Sequence, residues 1–157
     1  MPTEVTNPEF DFTSAREWVK APSNAASRLV LSCAEVATTV TLTMDAFAIP
    51  ADKFEEVANK VLQVRQEAQR KAVEQGAAAG QTVELLFGDV RVAPHASGQA
   101  WQISYTGSLK GKTVFAFLGF VTSRKIVHLY IETALPLAEG QGEIFQEVID
   151  GFAFVIP

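Results

Sequence analysis

Residues 114–121 read Val-Phe-Ala-Phe-Leu-Gly-Phe-Val, with no polar side chain among them. Successive residues of a strand point to opposite faces, so a strand apolar at every position must be covered on both. The run is far short of the roughly 20 apolar residues a membrane-spanning helix needs. Its neighbours alternate instead. Trp101, Ile103 and Tyr105 are interleaved with Gln102, Ser104 and Thr106, and Val127, Leu129 and Ile131 share one face of 126–133. The connections at 107–112 and 122–125 have hairpin length, which forces antiparallel pairing. The centre of this fold is therefore an antiparallel sheet with a layer on each face.

The same periodicity extends upstream. Phe10 and Phe12 alternate as a short edge strand, and Trp18 and Val19 suit another short extended piece before Pro22. Leu29, Leu31 and Cys33 face one way, as do Val40, Leu42 and Met44, with a turn at 34–37 between them. Val83, Leu85 and Phe87 begin a strand that continues through Val90 and Val92 past a bulge at Gly88. Between these strands the period changes to 3.6. Phe54, Val57, Ala58, Val61, Leu62, Ala68 and Ala72 form one stripe of a helix over 52–75, with Asp52 as its cap. The pairs Glu56–Lys60, Glu67–Lys71 and Arg70–Glu74 occupy its outer face. A short helix over 142–151 buries Ile144, Phe145, Val148 and Ile149, and the apolar tail 152–157 docks on the core. The expectation is an α+β fold: a three-layer α/β/α sandwich around an antiparallel sheet of about six strands. It forms one domain over 1–157, with 1–9 as a flexible tail.

Composition narrows the function. The chain has 13 basic and 18 acidic residues, a net charge of −5 and a pI near 5.0, which disfavours nucleic acid as a partner. One Cys makes no intrachain disulfide, and two His with one Cys make a poor zinc site. No metal or cofactor is expected. The first ten residues have neither the basic nor the apolar region of a signal peptide, so the expected location is cytoplasmic, or the periplasm or envelope where a leader has been removed.

The candidate chemical groups are few. Residues 107–113, Gly-Ser-Leu-Lys-Gly-Lys-Thr, have three residues between the glycines where a phosphate-binding loop has four, and a strand follows rather than a helix. Cys33 alternates with Leu29 and Leu31 and reads as core. His128 sits on a strand face with Ile126 and Tyr130, as a partly buried histidine hydrogen-bonded to a neighbour. The 93–99 loop and the 122–125 turn fall at the same end of the sheet, so His95, Arg124 and Lys125 form a candidate anion-binding rim. Ser97, His95 and Asp89 are the nearest set for a hydrolase, at a spacing that is not diagnostic. Trp101, Tyr105 and Tyr130 are available to line a cleft for a small molecule or lipid.

Residues 101–115 (Trp-Gln-Ile-Ser-Tyr-Thr-Gly-Ser-Leu-Lys-Gly-Lys-Thr-Val-Phe) and 124–132 (Arg-Lys-Ile-Val-His-Leu-Tyr-Ile-Glu) resemble the meander of PsbP-like and DcrB-like proteins. That fold group also includes a Ran-binding nuclear import factor. The element order is similar from about 10 to 156, and 14–18 keeps the family's Trp as Trp18 without the Pro-Gly before it. The resemblance implies an α/β/α sandwich and a non-enzymatic accessory or chaperone-like role in a bacterial cell. It brings no catalytic residue. The implied partner is another protein, such as a secretion effector or a component of a membrane complex, and a homodimer stays open. A small-molecule or lipid-binding module is the alternative, and a small hydrolase the remote one.

Overall fold

The computed structural model describes residues 2–22, 27–78, 84–110, 112–134 and 141–157. These residues form β1 (Thr3–Asn7), β2 (Phe10–Ser14), β3 (Val19–Lys20), β4 (Arg28–Cys33) and β5 (Thr38–Ala46). Helix α1 (Phe54–Ala78) follows, then β6 (Leu85–Pro94), β7 (Ala100–Leu109), β8 (Thr113–Thr122) and β9 (Lys125–Ala134). Helix α2 (Gln141–Gly151) and β10 (Phe152–Phe154) close the chain. Seven strands make one antiparallel sheet in the order β3-β4-β5-β9-β8-β7-β6. A second, three-stranded sheet has the order β1-β2-β10.

Strand β8 is the doubly apolar segment, and it is buried from Phe115 to Thr122. Phe115, Phe117 and Val121 pack toward α1, with Phe54, Ala58, Ile103 and Tyr105. Ala116, Leu118 and Phe120 pack the other way, with Phe10, Phe12, Phe145, Val148 and Phe152. The two covers are offset. Helix α1 lies over β6, β7 and β8, whereas the small sheet and α2 cover the apolar faces of β4, β5, β8 and β9. Each margin of the large sheet is thus covered on one face. Thr39, Thr41 and Thr43 of β5 line the open area beside α1, and Gln102, Ser104, Thr106 and Ser108 of β7 face the open area opposite. The alternation read in the strands is the trace of this offset.

Several sequence expectations are corrected. The α+β class and the antiparallel sheet stand, the large sheet having seven strands where about six were expected. Its second face is covered by a small sheet as well as by α2. Residues 3–7, expected in a flexible tail, form β1, whose single buried apolar side chain is Val5. Phe10 and Phe12 lie not on an edge strand but on the middle strand of the small sheet. Helix α1 starts behind Pro50 with a 3-10 turn (Ala51–Lys53) that has no side-chain cap, so Asp52 does not cap it, and the helix runs on to Ala78. Its outer face carries the i,i+3 pairs Lys53–Glu56 and Glu67–Arg70 in place of the i,i+4 pairs. Val83, expected to begin the strand before Leu85, lies outside the described residues. The β4–β5 turn closes with Ala37 at φ 49°, and the bulge in β6 falls between Gly88 and Arg91, with Asp89 at φ 51°.

Gly107 shows how closely β6 and β8 approach across β7. A Cβ there would fall well inside contact of the Leu86 carbonyl oxygen and the Phe115 ring. Gly107→Ala is therefore expected to lower stability by about 2 kcal/mol, as overpacked sites do. Urea denaturation checks this, and a loss within about 0.5 kcal/mol, typical of surface changes, would refute it.

Candidate functional site

The stripe of α1 that faces the sheet is not wholly apolar. Below Ala58, Val61 and Leu62 it continues at helical spacing through Arg65, Gln69 and Val73, while Ala68 and Ala72 are exposed. The Arg65 guanidinium lies 4.7 Å from the Phe117 ring centre and 5.4 Å from that of Tyr130. Its Nε is buried without a hydrogen-bond partner, and among the described residues no carboxylate is within ion-pair distance of it. The Tyr105 hydroxyl donates to Gln69 Oε1 at 2.6 Å, and the Tyr130 hydroxyl donates to Glu132 Oε2 at 3.0 Å. Tyr105 stacks on Phe117 and Tyr130 stacks on Phe115. Burial raises both phenol pKa values, and the Glu132 carboxylate adds to the effect at Tyr130.

Two separate cavities border the α1 side of β9, the first at Ile126 and His128 and the second at Tyr130 and Glu132. The first, of about 300 Å³, has apolar walls from Phe47, Val57, Val61, Val64 and Ile126. The second, of about 280 Å³, is bordered by Gln69, Val73, Leu85, Lys112, Tyr130 and Glu132. His128 borders the first. Its Nε2 is buried with no hydrogen-bond partner, in place of the bonded histidine expected. Burial lowers its pKa, the Arg65 charge lowers it further, and Asp45 opposes them, so the imidazole is neutral at neutral pH.

The expected rim residues are placed differently. Arg124 and Lys125 do meet, on the chain's own Glu9. Arg124 Nη1 and Nη2 donate to the two Glu9 oxygens at 3.3 and 2.9 Å, and Lys125 Nζ donates to Glu9 Oε2 and, at 2.6 Å, to the Val155 carbonyl. Arg124 Nε also donates to the Pro157 carbonyl at 3.0 Å. These donors hold the Glu9 carboxyl at about 2, well below its ordinary range. Lys125 is 4% exposed. His95 packs edge-on against Phe120 and joins neither cation. Its Nδ1 lies 2.8 Å from Ser97 Oγ and accepts the Ser97 N–H at 3.1 Å, a contact within one loop. Asp89 stands in the β6 bulge. Cys33 is buried in the core, and the Lys112 N–H donates to the Leu109 carbonyl ahead of β8, while Gly111 of the 107–113 segment lies outside the described residues.

The sequence reading missed Arg65 and Gln69. The signal was their spacing, seven and eleven residues beyond Ala58, which places them on its stripe. Among the described residues no three or more His, Cys, Asp or Glu come together to hold a metal ion, and no helix is long and apolar enough to cross a membrane.

No protein-family model and no curated protein matches the chain. Solved structures do match. One is the solution structure of cyanobacterial PsbP (CyanoP) from Synechocystis sp. PCC 6803, with a TM-score of 0.60 over 98% of this chain and 92% of that one, at 10% identity. The fold is PsbP-like. This likeness supports the PsbP-like part of the resemblance read from 101–115 and 124–132, and not its DcrB-like or Ran-binding parts. At 10% identity the likeness shows the fold alone.

Proposed function

We propose that this PsbP-like domain is a non-catalytic accessory protein that works by binding another protein, an extended segment of which pairs with the edge of β6. The exposure of apolar side chains on that edge carries the reading. Strand β6 is outermost in the large sheet and, among the described residues, pairs with β7 alone. Leu86 is 51% exposed and Val90 46% exposed. Edge strands are commonly blunted by charge, Pro or a bulge. Here the bulge starts beyond Gly88, so Leu85 to Gly88 stays extended beside a cavity of about 390 Å³ bordered by Leu86, Ser108, Val114 and Phe145. An added strand takes affinity from main-chain hydrogen bonds and specificity from alternate side chains set in such a cavity. The PsbP-like fold favours a component of a membrane complex as the partner, and a secretion effector is the other class that the sequence resemblance implies.

A photo-crosslinking residue at position 86, expressed in the cell of origin, tests this. One protein is expected to be captured there and not from position 67 on the outer face of α1. Leu86→Asp is expected to weaken that purified partner by about tenfold or more. Equal capture from both positions would refute the reading.

A further inference from the structure

On the opposite face, the cavity beside α1 has a chemistry of its own. Phe47 and Val64 are each 54% exposed at its mouth, and Val57, Val61 and Ile126 continue the apolar wall inward. Such a surface gains by covering with an apolar chain. Deeper in, the wall changes character. Arg65 and His128 each present a buried nitrogen without a partner, and both border the cavity. The half-buried Arg65 guanidinium lies against two aromatic rings and near the Tyr105 hydroxyl with, among the described residues, no carboxylate at ion-pair distance, so its charge is open to an anion.

We infer that this cavity binds a carboxylate carried on an apolar chain, with Arg65 and His128 donating to the head group and Phe47, Val61 and Val64 holding the chain. The planar guanidinium suits a carboxylate, and the Nε2–H tautomer of His128 supplies a further donor. The charges facing the cavity are Lys60 and Arg65 from α1 and Asp45 from β5. Asp45 favours a singly charged head over a doubly charged phosphate. A volume of about 300 Å³ is at the lower end for small-molecule sites, which suits a chain of medium length. The site is separate from the β6 edge and does not depend on the reading proposed for it.

Calorimetric titration of the full chain with decanoate, decanol, decyltrimethylammonium and decyl phosphate tests this. Decanoate is expected to bind one to one, about tenfold tighter than each of the other three, and to shift the His128 Nε2 resonance in a nitrogen NMR spectrum. Arg65→Met is expected to weaken decanoate by about tenfold and leave decanol unchanged. Val64→Asp, at an exposed position that the fold tolerates, is expected to abolish decanoate binding and keeps the test open if the Arg65 variant does not fold. Leu86→Asp is expected to bind decanoate as the parent does. Decanoate binding that is absent, no tighter than that of decanol or decyl phosphate, or unchanged by Val64→Asp would overturn the assignment.

Discussion

Phe12→Ala is expected to lower the unfolding free energy by about 4 kcal/mol, within the range for large core aromatics cut to Ala. Phe12 is fully buried on the middle strand of the small sheet. Its ring lies 4.5 Å from the centre of Phe152 and meets Trp18 edge-on at 6.2 Å. The Trp18 indole N–H donates to Ser14 Oγ at 3.0 Å, which fixes that ring, and Arg16 bonds Glu35 and Glu147 on either side. Little around the site can collapse into the space. At about 3 °C per kcal/mol for a chain of this size, the melting temperature should fall by roughly 12 °C. Urea titration provides the measurement, with an unchanged slope required for the comparison. A loss below about 1 kcal/mol, the size of a minor core trim, would mean that the small sheet is not part of the cooperative unit.

Removing the charge of Glu9 is the second large effect. Glu9→Gln leaves Lys125, 4% exposed, without its counterion. Breaking a fully buried pair from one side costs about 3–5 kcal/mol, and the Glu9 side chain is 30% exposed, so about 2 kcal/mol is expected at pH 7. The dependence on pH has a fixed sign. The Glu9 carboxyl is held at about 2 in the folded chain against 4.5 for the free group. Its contribution is fully present above about 4.5 and is lost as the pH falls through about 2. The gap between parent and variant should narrow over that window. Chemical denaturation of both proteins at several pH values gives the result, and a gap as wide at pH 2 as at pH 7 would exclude Glu9 as the titrating group.

The parts of the fold legible in the sequence were those with strong local periodicity. Phe115 to Val121, with Trp101, Ile103 and Tyr105 on one side and Val127, Leu129 and Ile131 on the other, declared the centre of the large sheet because every second residue repeated the same message. Strand β1 was illegible because only Val5 is buried along it. Phe152 to Phe154 read as a docked tail, since three residues carry too little pattern to show a strand. The site was harder. Arg65 and Gln69 lie on the inner stripe of α1, but a search for apolar spacing passes over polar members. Lys125 reads from the sequence as a rim cation open to an outside anion. Its partner stands 116 positions earlier in the chain, and no local pattern reports a pairing at that range.

The offset between the two covers of the large sheet has a consequence for occupancy. The bare area beside α1 and the bare area at β6 lie on opposite faces and toward opposite margins. Bodies seated on the two stand back to back, with the thickness of a sheet between them. Neither displaces the other, and β8, walled in on both sides, lies between them in the sheet. In mechanical terms the domain is a spacer with two ends, and β8 is its stiff web.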